Sequence, residues 1–522
     1  MNRKGSVVAN ATRVVRNLYR DSVSLMQLSN TLGALPGVEQ ASVVMATEAN
    51  VALLRHAGLA RGAIEAGPSD LLIALQAKHQ EALARALDEA EAALKAEPAQ
   101  PAGAGAPAGE PPRSIQMALA LDPAASLALI STPGEYAAAE AEKALRCGLD
   151  VMLFSDNVSL EEEAALKIRA RAAGRIVMGP DCGTAIINGV PLGFANVVRR
   201  GPIGCVAASG TGLQQVTCLV DRLGLGISQA IGTGSHDLHR SIGGITMLQG
   251  IGALRRDDAT KVIVLISKPP APEVARKVLR AASRVGKPVV VNFVGAPRGS
   301  IKGTNLHPVV TLEEAAHAAA ALARGRKPAP RRADRVRTTQ PRFAPSQHDI
   351  RGLYSGGTFC YEASLLLGEM LGQVWSNAPV RPQDRLGDPW KSRGHTLVDL
   401  GDDEFTRGRP HPMIDHRLRN ERMLKEAADP RTAVLLLDVV LGHGAHADPA
   451  AVMVPAIKQA QQRAAAGRRT LAIVGSVCGT PADPQNLRRQ EAALRTAGML
   501  LAPSNAAAVR LAASLVSRRG TL

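Results

Sequence analysis

Residues 201–213 read Gly201-Pro-Ile-Gly-Cys-Val-Ala-Ala-Ser-Gly-Thr-Gly-Leu213, an apolar run followed by a glycine-rich turn. We predict a buried strand over residues 203–207 and a helix that begins near Leu213. The glycines allow a tight turn and close approach to a ligand. The helix would point its free N–H groups, with the positive end of its dipole, at that turn. The segment therefore indicates either a nest for a phosphate or carboxylate or a plain turn with a serine cap.

The same pattern occurs a second time, in Arg351-Gly-Leu-Tyr-Ser-Gly-Gly-Thr-Phe-Cys-Tyr-Glu362. Apolar runs follow both copies, at 226–232, 261–267 and 288–294 and at 395–400, 433–440 and 470–474. Continuous apolar runs that alternate with helical segments are typical of parallel strands covered on both faces. We predict two doubly wound α/β domains, each with a nest at the carboxyl ends of its strands. The predicted phosphate-binding residues are Ser209, Gly210, Thr211, Gly212, Ser355, Gly356, Gly357 and Thr358.

The composition excludes several classes of protein. The chain has 522 residues, enough for three or four domains, and only 2% of them are aromatic. Much of the net charge of +16 lies in a proline-containing basic stretch at residues 324–342. Because aromatic side chains that stack on bases are scarce, we interpret that stretch as a solvated linker and expect no nucleic-acid partner.

The six cysteines show no paired spacing, which favours reduced thiols over disulfides or a zinc site. We also expect no other metal site. No apolar run is long enough to span a membrane, and no signal peptide is recognisable, so we expect a cytoplasmic protein without a membrane partner.

We predict six segments along the chain: a small α/β domain at 1–96, a flexible Pro/Ala/Gly linker at 97–113, a Rossmann-like domain at 114–199, the first nest domain at 200–325, a basic linker at 326–346 and the second nest domain at 347–522. In the first domain we expect strands at 12–19, 40–46 and 70–75. In the Rossmann-like domain, Gly179-Pro-Asp-Cys-Gly183 ends a strand with more rigidity and polarity than a turn needs. We take Asp181 and Cys182 as candidate substrate-binding residues.

The densest polar stretch is the loop 401–415, which combines acidic residues, two arginines and a histidine. Acids beside His411 suit metal binding or proton transfer, and Arg407 or Arg409 suits a bidentate clamp on a carboxylate or phosphate. The alternative is a solvated charged loop. Two prolines and two glycines fix the backbone here, which favours function. The candidate catalytic residues are His411, Arg409, Asp403 and Asp415.

From about residue 114 to 325 the chain resembles the α subunit of succinyl-CoA ligase, through Gly179-Pro-Asp-Cys182 and the run from Gly204 to Thr211. The whole chain resembles the FdrA family more specifically. That resemblance rests on Asp21-Ser-Val-Ser-Leu25, Phe154-Ser-Asp-Asn157, Met178-Gly-Pro-Asp-Cys-Gly-Thr184, Ser267-Lys-Pro-Pro270 and Gly408-Arg-Pro-His-Pro-Met-Ile-Asp415.

The ligase resemblance implies a CoA-binding nucleotide fold and a phosphohistidine held between two helix N-termini. Where the ligase has Gly-His-Ala-Gly, this chain has Gly303-Thr-Asn-Leu-His307-Pro, so His307 has the offset without the motif. We expect that His307 is not a phosphocarrier. The glycine-rich CoA loop has no counterpart before Leu127, and no ATP-grasp pattern is recognisable.

The FdrA family includes a subunit of bacterial oxamate carbamoyltransferase, an enzyme of anaerobic allantoin breakdown that works with two unrelated partner subunits. It converts carbamoyl-oxamate and phosphate into oxamate and carbamoyl phosphate. This resemblance implies carbamoyl transfer to phosphate as the first hypothesis, with phosphate and carbamoyl phosphate as substrates and no certain cofactor. The second hypothesis is an ADP- or GDP-forming acyl-CoA synthetase that binds CoA. The third is a non-catalytic subunit that only binds phosphorylated ligands.

Overall fold

The computed structural model describes residues 9–18, 20, 22–33, 35–47, 50–51, 54–55, 58–60, 62, 64–95, 112–297, 299, 301–329, 341–406 and 410–517. These residues form two compact units, one within 1–121 and 403–410 and the other within 122–402 and 411–522. The predicted linkers at 97–113 and 326–346 lie largely outside the described residues. No described helix is both long and apolar enough to cross a lipid bilayer.

The smaller unit is built on an antiparallel sheet in the order β1-β3-β2, from Ala9–Val15, Val38–Met45 and Leu71–Ala77. The first strand begins and ends earlier than the predicted 12–19. Helices α1 (Ser22–Gly33) and α2 (Gln80–Lys95) accompany the sheet. The apolar stripe of α2 that includes Leu83 and Leu94 is buried, which gives this unit its own core. Two short helices, α3 (Ile115–Leu121) and α11 (Asp403–Thr406), also belong to it.

The larger unit begins with a small parallel sheet in the order β4-β5-β6, from Leu127–Ile130, Asp150–Leu153 and Val177–Met178. Helices α4 (Gly134–Arg146) and α5 (Leu160–Ala172) connect these strands. Ser159 caps α5 in a capping box with Glu162, as expected for a serine followed three residues later by a glutamate.

A seven-stranded sheet follows, in the order β13-β12-β11-β9-β10-β7-β8. Its strands are β7 (Thr184–Ile187), β8 (Val190–Gly193), β9 (Arg200–Ala208), β10 (Ile227–Gly232), β11 (Val262–Ser267), β12 (Val289–Phe293) and β13 (Leu306–Pro308). Its helices are α6 (Gly210–Arg222), α7 (Ile245–Arg256), α8 (Pro272–Ala282) and α9 (Leu312–Ala323). Strands β9 to β13 are parallel, and the β7–β8 hairpin adds two antiparallel strands at one edge. This hairpin was predicted to belong to the preceding domain at 114–199, but it pairs with β10 of the seven-stranded sheet.

The last sheet has six parallel strands in the order β15-β16-β14-β17-β18-β19. The strands are β14 (Asp349–Tyr354), β15 (Val374–Ser376), β16 (His395–Asp399), β17 (Thr432–Val440), β18 (Ala472–Cys478) and β19 (Met499–Ala502). The helices are α10 (Gly357–Leu371), α12 (Arg417–Ala428), α13 (Pro449–Ala466), α14 (Leu487–Thr496) and α15 (Asn505–Val516). The predicted fold class, α/β with doubly wound parallel sheets and a small N-terminal α/β domain, is confirmed.

The six- and seven-stranded sheets share one hydrophobic core. Side chains of α6 such as Leu213 and of α10 such as Phe359 are fully buried in it together. Polar contacts lock the two sheets in place: Asn196 donates to Asp483 Oδ2 at 2.8 Å, and Arg222 donates to the carbonyl of Val477 at 2.7 Å. This packing brings the N-termini of α6 and α10 to the same place.

Candidate functional site

The two predicted nests meet at a hydrogen bond between hydroxyl groups. Ser209 is the N-cap residue of α6, and its Oγ lies 2.7 Å from Thr358 Oγ1 in the first turn of α10. A Cβ atom on Gly356 would lie 2.8 Å from Thr211 Cγ2, closer than ordinary contact allows. Glycine at this position is therefore what lets the two helix N-termini approach each other.

Each terminus retains backbone donors. Gly212 N–H donates to Ser209 Oγ at 3.0 Å, the usual bond of a serine cap. Within the part of the chain that the structure describes, the N–H groups of Gly210, Thr211, Gly357 and Thr358 have no acceptor. Two helix dipoles then direct their positive ends to one place, an arrangement that suits a phosphate-class anion.

Two of the predicted phosphate ligands have another role. The N–H groups of Ser355 and Gly356 donate to the two carboxylate oxygens of Asp438, each at 2.9 Å, and Ser355 Oγ also donates to Asp438 at 2.9 Å. Arg419 pairs with the same carboxylate at 3.0 Å, and both side chains are buried. The prediction that Ser355 and Gly356 bind phosphate is therefore wrong: an internal carboxylate already holds them and shapes the loop.

Asp399 ends β16 directly beside the start of α10. Its Oδ1 accepts the N–H of Gly401 at 3.0 Å, and a Cβ atom on Gly357 would lie 2.5 Å from its Oδ2. Burial raises the pKa of Asp399 to about 6, and the positive charge of Lys268 opposes that rise. Asp399 was not among the predicted site residues, although its position at the end of an apolar run was a usable signal.

His411 lies at the same edge. A Cβ atom on Gly401 would lie 2.9 Å from His411 Nε2 and 2.9 Å from the carbonyl oxygen of Ser355. The N–H of Met413 donates to His411 Nδ1 at 3.2 Å, and burial lowers the pKa of His411 to about 4. At neutral pH the ring is therefore neutral, and we assign its proton to Nε2 from this hydrogen bond. In this tautomer the Nε2–H of His411 is a potential hydrogen-bond donor beside Gly401.

The other residues predicted around His411 are placed differently or not described. Asp415 does not orient the ring: its carboxylate accepts the backbone N–H of Arg417 at 2.9 Å and the Nε of Arg417 at 2.7 Å. Asp403 begins α11 in the smaller unit. Arg407 and Arg409 lie outside the described residues.

The loop after β6 contributes Asp181 but not its neighbour. Cys182 is buried, its Sγ lies 3.7 Å from the carbonyl of Thr184, and burial raises the pKa of its thiol to about 12. It is a core residue, which corrects the prediction that it binds substrate. Asp181 keeps contact with solvent, yet partial loss of hydration raises the pKa of its carboxyl. Ser235 opposes that rise most, and the charges of His236 and Lys268 also oppose it.

A buried ion cluster supports the loop opposite Asp181. Lys167 Nζ contacts Glu163 Oε1 at 2.7 Å, Asp237 Oδ1 at 2.8 Å and the carbonyl of Thr233 at 2.8 Å, and no atom of the three side chains in this cluster is exposed. The cluster fixes residues 233–237, which follow β10. His236 on this loop has a raised pKa, chiefly because of the Glu163 carboxylate, whose Oε2 lies 3.6 Å from His236 Nδ1.

Lys268 is the cation that faces both acidic groups. It follows β11 and is exposed, and its positive charge opposes the rise in the pKa of both Asp181 and Asp399. Its ammonium group lies 5.8 Å from the centre of the Tyr361 ring. Lys268 lies in the string Ser267-Lys-Pro-Pro270, which supported the family resemblance but predicted no role for this residue. Its position suits a substrate carboxylate.

His307 lies in β13 and pairs with Val290 of β12. Val290 pairs with Val264 of β11, and Val264 pairs with Cys205 of β9. His307 is therefore level with Cys205, three strands away from it, and Cys205 precedes Ser209 by four residues. From ordinary strand spacing and rise, the backbones at His307 and Ser209 are about 20 Å apart. The expectation that His307 does not carry phosphate stays a prediction, and this distance favours it.

Comparison with known proteins gives two family matches. Residues 353–515 match the family model for CoA-ligase, and residues 8–111 match the model described as AllF, heavy metal-associated domain. YahF of Escherichia coli (strain K12) is 44% identical over 499 residues, which cover 94% of this chain and 95% of that protein.

Two shorter matches are to succinate–CoA ligase [ADP-forming]. Its subunit alpha 2 from Archaeoglobus fulgidus is 29% identical over 187 residues, 34% of this chain and 63% of that subunit. The subunit alpha from Aquifex aeolicus (strain VF5) is 27% identical over 187 residues, 34% of this chain and 60% of that subunit.

The N-terminal unit lacks the ligands that its family description suggests. Heavy metals favour thiolate ligands, and the first cysteine of the sequence is Cys147, beyond residues 8–111. The described residues contain no group of three or more His, Cys, Asp or Glu side chains placed to hold a metal ion. The residues present therefore do not fit a heavy-metal site, and we assign none.

Proposed function

Because the chain belongs to the FdrA family, we propose that it is a subunit of a cytoplasmic carbamoyltransferase that transfers a carbamoyl group from carbamoyl-oxamate to inorganic phosphate. The observation that carries this proposal is the pair of facing helix N-termini, from which His307, the counterpart of the ligase's phosphohistidine, lies about 20 Å away. Direct attack by bound phosphate needs an anion site beside the carbamoyl group, and the free N–H groups at this edge suit such a site. It needs no phosphorylated side chain.

In the proposed reaction, the N–H groups of Gly210, Thr211, Gly357 and Thr358 hold HPO₄²⁻. A phosphate oxygen attacks the carbamoyl carbon, and the bond from that carbon to the oxamate nitrogen breaks. The phosphate loses its proton and the leaving nitrogen gains one, so that oxamate and carbamoyl phosphate form. Binding the two reactants side by side raises the rate, because the translational and rotational entropy of bringing them together is already lost on binding.

Two further side chains have roles in this scheme. The Nε2–H of His411 donates to the carbamoyl oxygen as negative charge develops on it. Lys268 pairs with the oxamate carboxylate. Its exposure at the edge between Asp181 and Asp399 suits a substrate that enters from solvent. The two partner subunits expected for this family would complete the site.

Acyl-CoA synthesis is the second candidate, and the CoA-ligase match over residues 353–515 favours it. The geometry at α4 opposes it. A Cβ atom on Gly134 would overlap the backbone carbonyl oxygens of Asp156 and Asn157, so these oxygens lie against the start of the helix. In a nucleotide-type fold the diphosphate sits at this helix terminus, and carbonyl oxygens there repel it.

Two assays separate the candidates. The full chain, alone and with its partner subunits, is incubated with carbamoyl-oxamate and phosphate, and carbamoyl phosphate is measured. In parallel, CoA-dependent ADP formation is measured with ATP and succinate. We expect carbamoyl phosphate only with partners and no CoA-dependent ADP. CoA-dependent ADP formation without carbamoyl phosphate would establish the ligase. If the chain binds phosphate but forms neither product, it is a non-catalytic binding subunit.

Two glycines on α10, Gly357 and Gly368, form a matched pair of variants that tests where phosphate binds. Gly357→Ala places a methyl group 2.5 Å from Asp399 Oδ2, whereas a methyl group at Gly368 meets nothing within 4 Å. We expect Gly357→Ala to weaken phosphate binding at least about tenfold, which corresponds to about 1.4 kcal/mol. Gly368→Ala is expected to bind like the parent. Equal affinities in all three proteins would place the phosphate elsewhere.

A further inference from the structure

The Asp399 carboxyl is held in a fixed position with one oxygen directed at the anion site. Its backbone is clamped by Asn377, which accepts the Asp399 N–H at 2.9 Å and donates to the Asp399 carbonyl at 3.0 Å. Oδ1 accepts the N–H of Gly401. No described residue donates a hydrogen bond to Oδ2, the oxygen beside Gly357. Oδ2 is therefore left for a bound ligand.

The charges around Asp399 favour its acid form when an anion is present. Burial is the largest effect, with 6% of the residue exposed, and Asp402 and Asp438 add repulsion. Lys268 and the Gly401 N–H act in the opposite direction, while the nearby Cys360 and His411 are neutral at pH 7. These effects raise the pKa to about 6 in the free chain. A phosphate dianion at the same helix terminus raises it further, because two negative groups in contact oppose each other's ionisation.

We propose that Asp399 is the general acid of the anion site: it holds a proton against the bound phosphate and passes it to the leaving nitrogen. This inference rests on the carbamoyl transfer proposed above. As the carbon–nitrogen bond breaks, the Asp399 proton moves to the nitrogen. The carboxylate then takes up the proton that HPO₄²⁻ loses, which restores the acid and balances the reaction.

The chemistry needs such a group because an amide nitrogen leaves poorly unless it is protonated. Two other side chains at this edge are less suited. The Asp438 carboxylate is committed to the N–H groups of Ser355 and Gly356 and to Arg419. Neutral His411 offers a hydrogen bond but is a weak acid. Asp399 is placed beside both the phosphate donors and solvent-exposed Lys268.

The first test measures proton uptake rather than turnover. Sulfate, a dianion that does not titrate near pH 7, is titrated calorimetrically into the full chain in buffers of different ionisation enthalpy. At pH 7 a pKa of about 6 leaves roughly 90% of the Asp399 carboxyl ionised in the free chain, and we expect the parent to take up at least about half a proton per sulfate as the bound dianion raises that pKa. Asp399→Asn, whose amide mimics the neutral acid, is expected to take up roughly none. Asp258→Asn, an exposed aspartate before β11, is the matched control and should behave like the parent.

The second test measures turnover in the complex with its partner subunits. Asp399→Asn should lower kcat for carbamoyl phosphate formation at least about 100-fold while phosphate affinity changes less than about threefold. Turnover within about threefold of the parent, or equal sulfate-linked proton uptake, would overturn the role of Asp399 while leaving carbamoyl transfer intact. Failure of the parent to bind either anion, or to form carbamoyl phosphate, would overturn the proposed function itself.

Discussion

The pair of Asp438 and Arg419 beneath the second nest gives the sharpest prediction about what holds the site together. Asp438→Asn keeps the shape of the side chain but removes its charge. The carboxylate accepts the N–H groups of Ser355 and Gly356, each at 2.9 Å, and Arg419 Nη1 at 3.0 Å. An amide group in its place presents N–H donors to one of these N–H groups and leaves the buried guanidinium without its counter-charge.

The expected cost follows from burial. Arg419 and Asp438 are 0% and 1% exposed, so no water replaces the lost partner. Removing one member of such a pair costs about 3–5 kcal/mol. Total stabilities of domains lie near 5–15 kcal/mol, so Asp438→Asn is expected to remove a large fraction of the stability of this part of the chain. Arg419→Met with Asp438→Asn should cost at least about 1 kcal/mol less than the two single changes added together, because neither charge is then left unpaired.

The assay is urea unfolding followed by tryptophan fluorescence. Both tryptophans, Trp375 and Trp390, belong to the six-stranded part, so the signal reports on it selectively. Arg417→Met, two residues from Arg419 on the same helix, is the matched control. Its side chain is 48% exposed, and its ion pair is expected to contribute less than about 1 kcal/mol. A cost below about 1 kcal/mol for Asp438→Asn, or strict additivity in the double variant, would refute the reasoning.

Three further predictions concern single side chains. His307→Asn should leave turnover within about twofold of the parent, and labelled ATP should leave no acid-labile label on the chain; a stoichiometric label lost in this variant would instead favour the ligase. Glu362 has a pKa raised by burial to about 7, above its ordinary value of 4.5, so its contribution to stability is complete below about pH 4.5 and is lost as pH rises through 7. Relative to Glu362→Gln, the parent should therefore lose about 3 kcal/mol of unfolding free energy between pH 4.5 and 8 in urea titrations, and parallel curves would contradict this. Arg409→Lys and His411→Ala, checked for folding by thermal melting, should each lower turnover in the reconstituted complex about thirty-fold or more, and activity within about twofold for both would make this loop structural.

Much of the fold could be predicted because parallel strands covered on both faces leave continuous apolar runs. The runs at 261–267 and 433–440 became strands β11 and β17, with bounds Val262–Ser267 and Thr432–Val440. The β7–β8 hairpin was harder to assign to a sheet, because its partner strand β10 lies 40 residues further along and pairs through a single register position, Ala230 with Ile186. Local patterning carries no information about such a contact.

The site was predicted only in outline. The repeated Ser-Gly-Thr pattern indicated two helix N-termini, and the structure brings them into contact at Ser209 and Thr358. Which donors stay free depends on Asp438, which lies 83 residues from Ser355 in sequence. The raised pKa of Asp399 likewise depends on burial by distant segments. Sequence spacing shows neither effect, because both arise only when separate strands end at one edge.

The most direct test of the central claim is a crystal structure of the full chain with bound phosphate, at a concentration that saturates binding in solution. The account predicts tetrahedral density between the N-termini of α6 and α10, within hydrogen-bond distance of the N–H groups of Gly210, Thr211, Gly357 and Thr358 and of Asp399 Oδ2. Phosphate bound elsewhere, with this place left to solvent, would contradict it.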